Sequence, residues 1–438
     1  MDSTIAQANL ATSNTDLNLQ PSQLVQNFTT AQLREDPYAY YRSIGSPKFI
    51  VAPMVDQSEL PYRMLTRKYK AQLCYTPMFH GRMFSESEGY RKEFFCPHPE
   101  DRPLSVQFCA NDPQVLLKAA RYVENDCDAV DINFGCPQGI ARKGKYGSFL
   151  LEKTEIIRSL VTTLAQNLKV PVTCKIRCLP NEEETMKLAK MIEECGCAML
   201  VVHGRTREHN KQRTGPANWQ IIKKIKQSLR IPVIANGGMA TFEDCMACLE
   251  YTGCDGVMSS ESILEYPALF DPQPSLYNLD EIAFEYLEMV KLYPGEADLK
   301  NVRSHIHKFL HTGFKQHTDL RDKLTTSKTM EEFREIVLLM QERRKDLPNE
   351  KKIGWYHRYW ASENKVAGET KTWITQEWTD QIENDPLFNK RLRDQAESQN
   401  NNRGDLCVKN ENILLESGME DLNLGNFLGG DDADQQQN

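Results

Sequence analysis

Eight short apolar runs alternate with longer stretches of helical periodicity between residues 48 and 260, and this alternation constrains the fold more than any other feature. The runs are rich in β-branched and other apolar residues, and they lie at Phe49–Ala52, Leu73–Thr76, Leu104–Phe108, Ala129–Asn133, Val172–Ile176, Met199–His203, Pro232–Ala235 and Gly256–Ser259. Helical spacing is clearest in Pro113–Asn125, Thr154–Leu168, Asn181–Cys195, Trp219–Leu229 and Thr241–Tyr251. Eight strands separated by helices predict an α/β fold, a (β/α)8 TIM barrel over residues 46–273. An open, doubly wound sheet is the alternative, because a strand count does not show that a sheet closes.

The regions on either side of the barrel have a different composition. Strand signals stop after residue 275, and Leu276–Leu292, Ala297–Thr312 and Met330–Arg344 are amphipathic, which predicts an all-α helical domain over residues 274–347. Polar, low-complexity composition predicts a flexible N-terminal arm over 1–45 and an acidic disordered tail over 396–438. Residues 348–395 are predicted to form a helical extension of unknown role.

Several classes of protein are excluded by the sequence. No apolar run approaches the roughly 18 residues of a membrane span, so we expect no membrane association. The N-terminus has neither a basic n-region nor an apolar core, and the 13 cysteines then indicate reduced thiols in the cytoplasm or nucleus.

Polar and reactive residues follow the predicted strands, where parallel barrels carry their functional groups. They are Pro53, Met54, Gln107, Asn133, Cys136, Lys175, Arg177, His203, Arg205, Asn236, Gly237 and Gly238. Residues two apart on a strand share a face, so Lys175 with Arg177, and His203 with Arg205, indicate a site for an anionic or electron-rich ligand. The alternative is that the two arginines are exposed strand-end residues.

Two of these features indicate chemistry more directly. Cys136 lies in a loop between Gly135 and Pro137, where a thiol can act as nucleophile or general acid; an inert buried thiol is the alternative. Gly237 and Gly238 follow a strand and would let backbone amides approach a phosphate closely, although a tight turn has the same sequence. No Walker or Gly-x-Gly-x-x-Gly motif follows a strand.

The remaining cysteines, histidines and basic residues are candidates for metal and RNA sites. Cys245-x-x-Cys248 and Cys195-x-Cys197 resemble fragments of zinc sites, but no second close pair follows, so we expect no metal. Residues 297–328 carry seven Lys or Arg against three Asp, which is compatible with nucleic acid. His305, His307 and His311 are interpreted as lying on a solvated or RNA-facing helix.

Taken together, the strand ends resemble those of the tRNA-dihydrouridine synthases, flavoenzymes that reduce uridine in tRNA. The resemblance rests on VAPMVD at 51–56, DINFGCPQ at 131–138, CKIR at 174–177, VHGRT at 202–206 and ANGG at 235–238. It covers roughly residues 47–345. The segment 136–150, CPQGIARKGKYGSFL, is similar to the eukaryotic subfamily that acts on D-loop positions 16 and 17.

This resemblance implies a monomeric enzyme that binds FMN, takes electrons from NADPH or NADH, and acts on tRNA. Cys136 would be the proton donor. The implied flavin contacts are Pro53, Met54, Gln107, Lys175, His203, Asn236, Gly237 and Gly238, and the implied uracil contacts are Asn133, Arg177 and Arg205. Many family members have Gly-Arg-Gly where this chain has Ser260-Glu261-Ser262, so an arginine–phosphate contact is missing, and the backbone amides of Ser260 and Glu261 are the remaining candidates to bind the phosphate.

With tRNA as substrate, basic surface residues are candidates for contacts with its phosphates, and a solvated surface charge is the alternative for each of them. Candidates are Arg67, Lys68, Lys143, Lys145, Lys308, Lys315, Arg321 and Lys323. Two other functions fit the chain: a small-molecule pyrimidine flavin oxidoreductase, and a non-catalytic RNA-binding barrel. The helical domain argues against the first, and the presence of Cys136, Lys175 and His203 together argues against the second.

Overall fold

A computed structural model describes residues 28–209, 215–273 and 278–344 of the chain. The strands are β1 (Phe49–Val51), β2 (Leu73–Tyr75), β3 (Phe79–His80), β4 (Leu104–Cys109), β5 (Ala129–Phe134), β6 (Val172–Arg177), β7 (Met199–His203), β8 (Val233–Asn236) and β9 (Gly256–Ser259). The eight predicted strands are therefore confirmed to within one or two residues at each end. Sequence reasoning missed β3, whose two residues are too few to show a period.

Eight of these strands close into a parallel barrel. Val51 of β1 pairs with Ser259 of β9 on one side and with Cys74 of β2 on the other. Cys74 pairs in turn with Leu104 of β4, and β4 to β9 continue in chain order. This ring confirms the TIM barrel and excludes the open sheet, while β3 pairs only with β4, outside the ring.

The helices surround the barrel and continue beyond it. They are α1 (Thr30–Glu35), α2 (Ala39–Ser43), α3 (Leu60–Lys68), α4 (Gly81–Glu86), α5 (Glu88–Phe94), α6 (Pro113–Arg121), α7 (Gly139–Gly144), α8 (Thr154–Asn167), α9 (Glu182–Glu194), α10 (Trp219–Ser228), α11 (Phe242–Thr252), α12 (Glu261–Glu265), α13 (Leu279–Leu292), α14 (Leu299–Phe309), α15 (His311–Gln316), α16 (Thr318–Thr326) and α17 (Met330–Arg344). Their ends follow local chemistry: the Asn181 side chain accepts from Glu184 N to begin α9, and Gly253 ends α11 with φ at +66°.

The prediction of a flexible arm is wrong for residues 30–43. These residues form α1 and α2, and Tyr40 and Tyr41 are buried in the barrel's hydrophobic core. Lys226 Nζ on α10 donates to Tyr38 Oη at 2.5 Å and to Asp255 Oδ2 at 2.7 Å, which fastens this segment to the barrel. Burial of aromatic area outweighed the polar composition of the arm.

The helical region after the barrel, α13 to α17, packs against α3 around a buried polar group. Glu59 accepts a hydrogen bond from Tyr286 Oη at 2.7 Å, and His305 Nε2 lies 3.1 Å from Glu59 Oε2. His305 is fully buried and stacks on Tyr62, with ring centroids 4.5 Å apart. The interpretation of His305 as solvated or RNA-facing is therefore wrong: it joins the helical region to the barrel.

Some predictions fall outside the described residues. These are the helical extension at 348–395, the tail at 396–438 and the first 27 residues of the arm. Within the part that is described, no helix is both long and apolar enough to cross a bilayer.

Candidate active site

Polar side chains from β4 to β8 meet inside the barrel at the carboxyl ends of the strands. Gln107 is joined to Asn133 and Lys175 to Asn236 by hydrogen bonds between strands. Arg177 donates to the carbonyl of Gly135, and His203 contacts Arg205. The residues named from the strand ends are thus brought together. The two arginines are buried, with 9% exposure for Arg177 and 6% for Arg205, so the alternative of exposed strand-end residues is excluded.

Lys175 is a cation whose direct partner is neutral. Its Nζ donates to Asn236 Oδ1 at 3.0 Å, and Asn236 Nδ2 donates to Met258 O at 2.7 Å. No carboxylate among the described residues forms an ion pair with Nζ. Burial, assisted by the charge of Arg177, lowers the pKa of Lys175 to about 8. A buried cation with no carboxylate in direct contact favours an anionic or electron-rich ligand, although the charge of Asp131 also acts on Lys175 from farther away.

His203 is held as a neutral imidazole. Arg205 Nη1 lies 3.2 Å from His203 Nε2, and a guanidinium can only donate, so Nε2 is the acceptor. Burial, together with the charges of Arg177, Arg205 and Lys175, lowers the pKa of His203 well below its usual range. At neutral pH, His203 therefore offers a hydrogen-bond donor at Nδ1 without adding charge.

Arg177 holds the loop that carries Cys136. Its Nε donates to Gly135 O at 2.9 Å, and its Nη1 donates to Thr206 O at 2.8 Å and to His209 O at 3.0 Å. The guanidinium therefore fixes the loop after β5 and the loop after β7 through their carbonyl groups. Its implied contact with uracil stays a prediction.

Cys136 lies partly exposed in a loop whose backbone is held by Ser148. Ser148 N and Ser148 Oγ both donate to Cys136 O, at 3.1 and 2.9 Å. Gly147 has φ at +64°, and a Cβ there would lie 2.7 Å from Cys136 O, so only glycine allows this approach. Burial raises the pKa of the Cys136 thiol, although Arg177 and Lys175 act against that rise. The thiol is thus protonated at neutral pH and suited to donate a proton.

Gln107 and Asn133 form a directed pair next to this loop. Asn133 Nδ2 donates to Gln107 Oε1 at 2.8 Å, and Asn133 Oδ1 accepts from Gly135 N at 3.1 Å and from Cys136 N at 2.9 Å. Asn133 therefore positions the cysteine loop, a role that the sequence did not indicate. Its implied contact with uracil is untested.

The turn after β8 has the shape of an anion-binding cradle. Gly237 has φ at +101°, and a Cβ there would lie 2.9 Å from His203 Cδ2; Gly238 has φ at +88°, with Trp219 Nε1 only 3.1 Å from such a Cβ. Trp219 Nε1 donates to Gly237 O at 2.9 Å, which fixes the turn. At the end of β9, Ser259 Oγ is buried and has no hydrogen-bond partner within the described residues. Glycine is required at both positions, because the backbone is left-handed and packs directly against His203 and Trp219. A glycine turn of this kind, together with an unpartnered hydroxyl at the next strand end, is compatible with a phosphate group.

Glu261 introduces a negative charge after β9. Burial raises the pKa of its carboxyl group, and the charges of Arg205 and Arg177 oppose that rise. A carboxylate repels a phosphate, so a contact from Glu261 must come from its backbone amide, whereas Ser260 also has a hydroxyl donor. Their assignment to the cofactor stays a prediction.

The loop after β1, with Pro53 and Met54, is fastened to the helical region. The backbone N–H of Met54 donates to Ser58 Oγ at 3.0 Å, and the Met54 side chain is buried. Farther along the loop, Lys308 Nζ of α14 donates to Gln57 Oε1 at 2.7 Å. The helical region thus braces the loop predicted to lie beneath the flavin.

Most of the basic residues proposed to contact tRNA are already paired. Arg67 bonds to buried Asp101 at 2.9 Å, and the other pairs are Lys68–Glu285, Lys308–Gln57, Arg321–Asp322 and Lys323–Glu335. Arg142, Lys143 and Lys145 differ: they are exposed and form no ion pair within the described residues. Arg142 and Lys143 lie on α7, after the cysteine loop, and Lys145 directly follows that helix. Sequence reasoning named two of these three and missed Arg142.

No group of three or more metal-ligating side chains that could hold an ion occurs in residues 28–209, 215–273 and 278–344. Cys245 and Cys248 are buried free thiols on α11, and Cys195 and Cys197 are likewise buried and free.

Comparison with known proteins places most of the chain in one family. A family described as Dihydrouridine synthase (Dus) matches residues 50–347. The chain is 45% identical over 319 residues to a protein of Schizosaccharomyces pombe named tRNA-dihydrouridine(16/17) synthase [NAD(P)(+)], covering 69% of this chain and 80% of that protein. A protein of the same name from Saccharomyces cerevisiae is 44% identical over 330 residues, covering 72% of this chain and 76% of that one. A Rattus norvegicus protein named as like this synthase is 45% identical over 293 residues, covering 66% of each chain.

Proposed function

Because this chain belongs to the dihydrouridine synthase family, we propose that it reduces the C5–C6 double bond of uridine to 5,6-dihydrouridine at positions 16 and 17 of the tRNA D-loop. The observation that carries the proposal is the place of a loop thiol, Cys136, after β5: buried Arg177 holds its loop, and Lys175 lies on the neighbouring strand β6. Relatives named for the 16/17 activity share 44–45% identity with most of the chain.

The residues at the mouth fit an FMN cofactor, with NADPH or NADH as the reductant. The Gly237–Gly238 turn suits the phosphate, and Lys175, whose direct partner is the neutral Asn236, suits the electron-rich edge of the ring. Neutral His203 can donate to a carbonyl or hydroxyl oxygen without repelling Lys175. When bound and reduced, the flavin supplies the hydride that adds to C6 of uracil.

Cys136 supplies the proton that the reaction needs at C5. Addition at C6 places negative charge on C5 and the C4 oxygen, and the Sγ proton quenches it. Lys175 and Arg177 favour the thiolate that remains, because both charges lower the pKa of Cys136. Asn133, Ser148 and Arg177 hold the loop still, so the thiol is oriented before substrate arrives.

A uridine in a tRNA loop must leave its stack to reach this mouth, at a cost of a few kcal/mol, which contacts to the rest of the RNA must offset. Arg142, Lys143 and Lys145 are placed to provide such contacts because they follow the cysteine loop directly.

We expect the triple change of Arg142, Lys143 and Lys145 to alanine to raise the KM for tRNA. The slope of log affinity against log salt should flatten by up to about one unit per lost phosphate contact. The matched control removes three exposed lysines that are paired with glutamates, Lys92, Lys190 and Lys224. Equal salt slopes in both triple variants would place recognition on other residues, with exposed Lys315 as the next candidate.

The proposal is tested with the purified full-length chain, NADPH and an unmodified tRNA transcript. We expect a yellow protein that releases FMN rather than FAD on denaturation, and dihydrouridine mapped to positions 16 and 17. Free uracil and orotate-type pyrimidines serve as competing substrates. Reduction of these without reduction of tRNA would favour the small-molecule oxidoreductase, and a colourless protein that FMN does not reconstitute would favour the non-catalytic barrel. We further propose a monomer in the cytoplasm or nucleus.

A further inference from the structure

Below the mouth, a buried carboxylate begins a chain of hydrogen bonds that ends on the cysteine loop. Asp131 of β5 is fully buried, its Oδ1 accepts from Thr173 Oγ1 at 2.6 Å, and its Oδ2 accepts from Gln107 Nε2 at 2.7 Å. Gln107 Oε1 then accepts from Asn133 Nδ2. Neither Asp131 nor Thr173 belongs to the residues assigned to flavin, uracil or proton transfer.

The donors and acceptors in this chain of hydrogen bonds can be arranged in one way only. A side-chain amide can usually be turned around, because its nitrogen and oxygen have similar shapes. Here an ionised carboxylate, which only accepts, stands at one end, and the backbone N–H groups of Gly135 and Cys136, which only donate, stand at the other. Burial raises the pKa of Asp131 only to about 6, so the carboxylate is ionised at neutral pH. Both amides between the two ends are therefore fixed.

We infer that Asp131 is a positioning residue that acts through Gln107 and Asn133 to hold the backbone of Cys136. The carbonyl groups of this loop have other donors, namely Arg177 for Gly135 and Ser148 for Cys136. Its two N–H groups are held by Asn133 Oδ1. If the Gln107 amide turned around, the Asn133 amide would turn with it, and an NH₂ group would then face those two N–H groups.

The fixed orientation also sets what the two amides offer to a ligand. Each has a second N–H that bonds no acceptor among the described residues, so both can present donors rather than acceptors. Carbonyl oxygens, such as those of a flavin pyrimidine ring or of uracil, are the matching groups. The binding of flavin or uracil by the two amides deepens the proposed function and rests on it, whereas the hydrogen bonds that hold the cysteine loop do not depend on it.

The test measures amide hydrogen exchange by mass spectrometry in peptides covering residues 134–138, on the full-length protein with and without FMN. In Asp131→Leu, we expect exchange there to rise about five- to tenfold, as a lost hydrogen bond allows, while β7 peptides stay unchanged. Asp131→Asn should restore slow exchange, because its Oδ1 can accept from Gln107 while its Nδ2 donates to Thr173 Oγ1. Thr173→Val is the matched control and should resemble wild type, since it leaves the Asp131–Gln107 bond in place.

Single-turnover reduction of tRNA uridine gives a second measure. Asp131→Leu should slow it about tenfold, since the alignment of Cys136 and the orientation of the Gln107 and Asn133 amides are lost. The KM for tRNA should stay unchanged, because Asp131 is buried and the basic residues on the surface remain. Gln107→Met removes the amide that links Asp131 to Asn133. If Asp131→Leu fails to fold, Gln107→Met should show the same rise in exchange. Unchanged exchange at 134–138 in both variants, or a rise of equal size throughout the barrel, would overturn the inference. The exchange result stands even if no dihydrouridine forms, so the two proposals fail separately.

Discussion

Cys136→Ala is expected to reduce uridine conversion by roughly 10²- to 10⁴-fold, the usual contribution of a positioned general acid. Flavin binding and NADPH oxidation should stay close to wild type, because neither step uses the thiol. The physical basis is that burial raises the pKa of Cys136, so the group is protonated at neutral pH and has a proton to give. Single-turnover assays on pre-reduced enzyme isolate this step.

Two further substitutions separate chemistry from packing. Cys136→Ser should recover little activity, since a hydroxyl is a far weaker acid than a thiol. Cys178→Ala is the matched control: like Cys136, Cys178 lies just after a strand, but its thiol is buried, with its Sγ 3.5 Å from His203 O, and we expect little change in turnover. If Cys136→Ala instead lowered flavin content, thermal stability and turnover in proportion, the residue would be a packing group.

The barrel was predictable because its strands are short, apolar and regularly separated by helices. A parallel strand covered on both faces needs a nearly continuous apolar run, and each of the eight runs supplies one. The N-terminal segment was not predictable in the same way. Its burial depends on Tyr40 and Tyr41 meeting the barrel, a long-range contact that local composition does not encode.

The site was predictable where it depends on strand geometry and unpredictable where it depends on hydrogen-bond partners. Period-two spacing correctly placed Lys175 and Arg177 on one face of β6. The same rule could have found Asp131, two residues before Asn133 on β5, but a strand carboxylate gives no sign of its partners. His305 was misread because a histidine among lysines on a helix looks solvated, whereas its true partner, Glu59, lies 246 residues away.

The affinity of the protein for FMN should fall as pH rises above about 8, through the titration of Lys175. Burial lowers the pKa of Lys175 from 10.5 to about 8 in the free protein, and an electron-rich ligand next to Nζ favours the charged form and raises that pKa again. Below pH 8 the lysine is already charged and affinity is constant. Above it, binding must take up a proton, so affinity should drop by up to about tenfold per pH unit until the pKa of the bound state is reached.

Lys175→Met is the matched variant, because it keeps the length of the side chain and removes the charge. We expect it to weaken FMN binding about 10- to 100-fold at pH 7, the value of a hydrogen bond to a charged group, and to abolish the pH dependence above 8. Flavin-free wild type should show the opposite trend in stability. Its folded-state pKa lies below the unfolded value of 10.5, so unfolded chain binds more protons between pH 8 and 10.5, and thermal stability relative to Lys175→Met should rise over that interval. Fluorescence titration of FMN and thermal melts from pH 6.5 to 10 measure both trends. Parallel pH profiles in the two proteins would show that Lys175 does not titrate in this range, and its charge would then be constant through the catalytic cycle.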